Sequence, residues 1–165
     1  MKITDEHQYH GAALNQIAED PHFTAINPFK HNRTPSRSAF QINDDIGVYL
    51  KICSAPNRNH EYVFNFSGEN RAELERLENR FQQKVFLALV CVRAKEICCL
   101  PYSDFKGLLA RREKEAGHES QFLLLMTVKE GEAFHVYVNQ PGTRGQIIGR
   151  PKNVARNKFP KRLFE

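Results

Sequence analysis

The stretch Phe40–Ile52, FQINDDIGVYLKI, decides how the fold of this chain is read. Two short apolar runs flank the polar segment Asn43-Asp44-Asp45. Asn and Asp favour turns because their side chains bond nearby backbone and tolerate left-handed angles. Phe40–Ile42 and Gly47–Ile52 therefore read as two strands joined by a tight turn. Strand periodicity puts Val48, Leu50 and Ile52 on one face and Tyr49 and Lys51 on the other.

Working outward, Asp5–Ala18 carries a helical apolar stripe through Tyr9, Ala13 and Ile17. Thr4 is placed to cap it, with His7 at the capping-box position. Phe23–Phe29 reads as a short strand limited by Pro28, and His31–Ser38 as a polar basic loop. After the central pair, Glu61–Phe66 alternates and is rich in β-formers. Ser67 opens a helix over Glu69–Phe81 that buries Leu74, Leu77 and Phe81 and turns Glu73, Arg76, Glu78 and Arg80 to water. Lys84–Val92 is continuously apolar, the mark of a strand covered on both faces.

A turn at Arg93–Glu96 returns the chain through Ile97–Leu100; centred on Ala94-Lys95, it sets Cys91 opposite Cys98. A second charged helix spans Asp104–Ala116, capped by Ser103 and stopped by Gly117. Gln121–Val128 and Ala133–Val138 form a last strand pair around Glu130-Gly131. The expected class is α+β: a mixed, largely antiparallel sheet with two or three packed helices. Residues 1–143 are expected to form one domain, and residues 144–165 a basic, mostly extended tail packed on it or projecting from it.

Composition limits the function. A hydrophobic fraction of 41% with 26% charged residues suits a globular chain and argues against disorder. No apolar run approaches the roughly 20 residues of a membrane span, so no membrane association is expected. Cys53, Cys91, Cys98 and Cys99 match no zinc or redox spacing and read as free thiols of a cytoplasmic protein. The net charge of +5 is uneven: Arg144–Glu165 holds seven Lys or Arg against one acid, while the other 143 residues hold 17 against 18. Such a tail suits a polyanion or simply solvation. Lys30, Arg33 and Arg37 form one candidate nucleic-acid patch; Arg150, Lys152, Arg156, Lys158, Lys161 and Arg162 form another.

The element order helix, three strands, helix, strand, together with Asp44 or Asp45 and then Lys51, resembles the restriction-endonuclease-like PD-(D/E)XK superfamily over roughly Met1–Val92. The resemblance implies that Asp44 and Asp45 hold Mg²⁺ and that Lys51 steadies an attacking hydroxide. The position two before Lys51 is Tyr49, where the family carries Glu or Gln, and a phenol is a poor Mg²⁺ ligand. Glu61, Glu6 and Glu19 are the candidate replacements, with Glu61 on the next strand. The same residues also make an ordinary hairpin turn with a lysine on a solvent face.

His7 and His10 share a helical face beside Glu6 but lack a third metal ligand. Three functions follow as expectations: a Mg²⁺-dependent or degenerate nuclease-like enzyme, a non-catalytic nucleic-acid-binding module, and a protein-interaction factor that assembles with itself or a partner.

Overall fold

The computed structural model describes residues 1–165. The Phe40–Ile52 reading holds at its centre, with β2 at Thr34–Ile42 and β3 at Ile46–Cys53 in antiparallel register. Upstream, the segment expected to be a basic loop is half of a hairpin. Strand β1, Ile26–His31, pairs with β2 through Ile26↔Ile42 and His31↔Thr34. Asn32 and Arg33 turn the chain with φ of 48° and 66°. Two consecutive positive φ values are what a two-residue hairpin turn matching the strand twist requires. Pro28 fits inside β1 because that strand is the edge of its sheet, and the register shifts between Pro28 and Lys30.

Beyond β3 the chain enters β4 (Glu61–Ser67), helix α2 (Gly68–Phe81) and β5 (Val85–Cys91). Strand β5 lies parallel to β3, from Gly47↔Val85 to Cys53↔Cys91. A parallel pair needs a long crossover connection, and β4 with α2 supplies it. Strand β6 (Glu96–Pro101) completes a five-stranded sheet in the order β1-β2-β3-β5-β6. The β5–β6 turn is centred one residue earlier than expected, so Cys91 faces Glu96, and Cys98 faces Leu89.

Strand β4 joins a separate sheet instead of extending the meander. It pairs with β7 (Gln121–Thr127), which is followed by β8 (Phe134–Tyr137) and β9 (Lys152–Val154), all antiparallel. With α1 (Asp5–Ala18) and α3 (Tyr102–Ala116), the three helices and two mostly antiparallel sheets make an α+β fold. Helix α3 starts two residues earlier than expected, with Pro101 before it and no side-chain cap, and it stops at Gly117.

The five-stranded sheet is covered on both faces. On one side Ala13 and Ile17 of α1, with Leu163, pack on Val48, Leu50, Ala88 and Cys99. On the other, Tyr49, Leu87 and Leu100 meet Leu74 and Leu77 of α2, Phe105 of α3, and Phe66 and Phe122 of the four-stranded sheet. Tyr49 is therefore core rather than surface, at 1% exposure. Gly47 sets how closely α2 approaches, since a Cβ there would lie 2.7 Å from the Phe81 ring.

The caps expected for α1 and α2 form, whereas Ser103, expected to cap α3, lies inside that helix. Thr4 accepts from the His7 amide, and the His7 ring accepts from the Thr4 amide; Ser67 and Asn70 make the same exchange at α2. Residues 144–165 pack on the body through β9 and through a 3-10 turn at Lys161–Phe164 that buries Leu163. No helix is long and apolar enough to cross a membrane.

Candidate nucleic-acid interface

The residues singled out around β3 do not converge. Asn43, in left-handed conformation, staples the β2–β3 turn: its side-chain oxygen accepts from the amides of Thr24 and Ala25, and its amide donates to the His22 carbonyl. Asp44 is exposed beside it. Asp45 forms a surface ion pair with Lys84 at 2.5 Å. Lys51 is six residues further along the strand, about 20 Å away at ~3.3 Å per residue.

Glu61 sits on β4 in the other sheet. It alternates with Tyr62, Phe64 and Phe66, which face the core, and so it points away from Lys51. There it accepts from the Tyr137 hydroxyl and, at 3.3 Å, from the Asn57 amide. Glu6 of α1 lies 3.9 Å from His10, and Glu19, the residue that caps the C-terminus of α1, accepts from Asn15; that helix packs on the opposite side of the sheet from Lys51. His7 is spent on the helix cap, and burial pushes the pKa of His10 down.

Mg²⁺ demands near-octahedral oxygen coordination, in protein sites usually from one or two carboxylates. The exposed Asp44 and the lysine-paired Asp45 offer no such cage, and nowhere do three or more His, Cys, Asp or Glu side chains come together to hold a metal. The residues present do not fit the magnesium centre that the family resemblance implies.

A different set surrounds Lys51. The Lys51 ammonium, half-buried, donates to the Asn70 side chain at 2.9 Å and lies 5.2 Å from the centre of the Phe66 ring. Burial lowers its pKa, while the Glu73 carboxylate opposes that shift. Tyr49 sits beside Ser38 and Asn70, and its phenol is pushed well above the ordinary range, first by burial and then by the charge of Glu73. Glu73 accepts from the Ser36 hydroxyl at 2.5 Å, and Ser36 in turn receives the amides of Ser38 and Ala39.

A chain of polar groups thus runs from β2 through α2 to β3. Glu73, expected to face water, is its only carboxylate. It lies next to Leu74 of the buried stripe of α2, with Asn70 one turn before, where a charged side chain ordinarily turns to water.

Lys51 is held at a desolvation cost with no ion-pair partner, and an apolar side chain of similar length removes that cost. Lys51→Met is therefore expected to leave stability unchanged or to raise it by up to about 1 kcal/mol. Urea denaturation checks this: a loss above about 1 kcal/mol would make the ammonium–Asn70 bond a structural contact, since a typical hydrogen bond contributes about that much.

Above this network lies an open cleft of about 430 Å³ between the β1–β2 hairpin and α2, with Glu73 and Arg76 on one wall and His31 and Arg37 on the other. Arg76 reaches Glu69 at 3.0 Å, and its Nε is buried without a hydrogen-bond partner. The hairpin displays Lys30, Arg33 and Arg37, all exposed. None of the three enters any of the salt bridges that the other cations make.

The tail is less free than its charge suggests. Arg156 forks onto both oxygens of Glu96 and donates to the Lys129 carbonyl. Lys152 pairs with Asp104 at 3.1 Å and Lys158 with Glu165 at 3.9 Å. Arg150, Lys161 and Arg162 remain outside any ion pair, although the Arg150 carbonyl accepts from Arg111.

Comparison with known proteins finds no family model, no curated protein and no solved structure that matches this chain.

Proposed function

We propose that this chain is a nucleic-acid-associated protein that grips a phosphate backbone with its β1–β2 hairpin, and that its restriction-endonuclease-like core binds without cutting. One observation carries this reading: Lys30, Arg33 and Arg37 are all exposed along the β1–β2 hairpin, whose first strand is the sheet's edge, and none of them is in an ion pair. Cations so placed exchange counterions for phosphates and supply sequence-independent affinity.

The core resemblance rests on order and direction: a helix, three antiparallel strands and, after β4 has crossed to the other sheet, a helix leading to a strand parallel to the third. Non-catalytic binding is favoured over cleavage because Lys51 has Tyr49, Asn70 and the single carboxylate of Glu73 about it, where a nuclease needs a metal-holding set. Arg150, Lys161 and Arg162 are the tail residues left to add to the contact.

The test is fluorescence anisotropy of a labelled duplex across a salt series. Replacing Lys30, Arg33 and Arg37 together by alanine is expected to weaken binding roughly tenfold or more and to reduce the log–log salt slope by about 2 to 3. Unchanged affinity and slope would overturn the hairpin's role. Mg²⁺-dependent cleavage lost in Lys51→Ala would overturn the non-catalytic reading.

A further inference from the structure

The outer face of the four-stranded sheet carries a second concavity, of about 610 Å³, built from residues that take no part in the hairpin. Ligand pockets commonly span roughly 300–1,000 Å³ and combine an apolar surface with a few placed polar groups. Here the floor is aliphatic. Val63 and Leu125 stand opposite each other in the β4–β7 register, and Leu123 follows two residues along. Leu123 is 49% exposed, one of only four large hydrophobic side chains so open to solvent.

The walls are polar and largely fixed. Arg112 donates to both oxygens of Glu119, at 2.7 and 2.9 Å, and to the Asn139 carbonyl at 2.6 Å. That fork neutralises Arg112 and holds the Asn139 backbone in place. The Asn139 side-chain oxygen is buried in this wall and has no hydrogen-bond partner. That oxygen is closed to solvent as the wall stands, and an unsatisfied buried acceptor costs about 1–3 kcal/mol, so rotation of the Asn139 side chain to meet a ligand donor is favoured. Two further guanidinium groups line the concavity, Arg58 before β4 and Arg144 in the β8–β9 connection, and neither is in an ion pair.

An apolar floor, an acceptor short of a partner and two arginines outside any ion pair suit a ligand with three parts: an apolar face, an N–H donor and an anion. A nucleotide has all three. A sugar phosphate lacks the flat apolar face, and a fatty acid lacks the donor. We infer that this concavity binds a single nucleotide unit, with its base on Val63, Leu123 and Leu125, an N–H of the base directed to Asn139, and its phosphate held by Arg58 and Arg144.

Isothermal titration of the full chain with adenosine 5′-monophosphate tests this directly. Binding is expected with a Kd below about 1 mM, with ribose 5-phosphate and inorganic phosphate at least about tenfold weaker. Arg144→Ala should weaken the nucleotide about tenfold, as loss of a charge-assisted contact does. Leu123→Asp, an exposed substitution that leaves the core intact, should abolish measurable binding, whereas Lys114→Ala, an exposed charge on α3 outside both sites, should leave it unchanged.

Equal affinity for ribose 5-phosphate, or no nucleotide binding up to about 1 mM, would overturn the proposal. Insensitivity to both Arg144→Ala and Leu123→Asp would also do so. Duplex binding by the hairpin is read on other residues, so either reading can fail while the other stands.

Discussion

Phe66→Ala is expected to cost the domain about 3–5 kcal/mol, the range for truncating a fully buried phenylalanine. Phe66 is 0% exposed and sits where the layers meet. Its ring centre is 4.8 Å from that of Phe105 on α3, 6.4 Å from Phe122 on β7 and 6.5 Å from Tyr49 on β3. Alanine removes a side chain that touches both sheets and α3, and none of these neighbours can close the gap without moving an element. A domain of this size loses about 2–4 °C of Tm per kcal/mol, so a fall of roughly 6–20 °C is expected by calorimetry. Phe66→Leu, which keeps most of the volume, should cost far less, about 1–1.5 kcal/mol. A Phe66→Ala loss below about 1 kcal/mol, the scale of a surface change, would mean that the two sheets are not joined at this point.

Phe66 also supports the site, because its ring faces the Lys51 ammonium. Cation–π contacts contribute about 0.5–2 kcal/mol, enough to help hold a half-buried lysine charged. The strand that carries the central lysine is thus fixed by the second sheet, which sequence periodicity assigned to the same meander. Periodicity reports which face of a strand is buried, not which strand it pairs with. The β4–β7 register, Glu61↔Thr127 to Ser67↔Gln121, joins residues more than fifty positions apart and leaves no local trace.

Where the determinants were local, the sequence was legible. Ser67 with Asn70 caps α2, Leu74, Leu77 and Phe81 are buried, and Gly117 ends α3, as the capping and stripe rules require. The hairpin was missed because Asn32-Arg33 lacks the glycine that usually betrays such a turn, and because its strands are charged. At the candidate site, Lys51 was legible as a residue but not in its surroundings. Its neighbours Asn70 and Glu73 come from α2, and Ser36 from a segment read as loop. The carboxylate of Glu73 sits beside an apolar stripe, where a charged side chain is ordinarily solvated. Only the third dimension shows that a serine 37 positions away meets it.

Deleting residues 150–165 is expected to unfold the protein rather than to trim a flexible appendage. Strand β9 supplies the edge pairing of β8 through Phe134↔Val154, His135↔Asn153 and Val136↔Lys152. Val154 and Leu163 are each 2% exposed and fill the two cores on opposite faces of the five-stranded sheet. Leu163→Ala alone should cost about 2–5 kcal/mol, against a total stability of roughly 5–15 kcal/mol for a domain.

The deletion adds the loss of Val154 and of the Arg156 fork, which leaves half-buried Glu96 without its partner. It also bares an unpaired edge on β8, a template for aggregation. Light scattering and circular dichroism should show an aggregated or unfolded truncation, and a monomer with unchanged melting would show that the tail is dispensable. A truncation that loses nucleic-acid binding would therefore report lost structure. The exposed Arg150 and Lys161 and the part-buried Arg162 must instead be probed by single charge removal. For the exposed pair stability should stay within about 0.5 kcal/mol, so that any change in affinity is electrostatic.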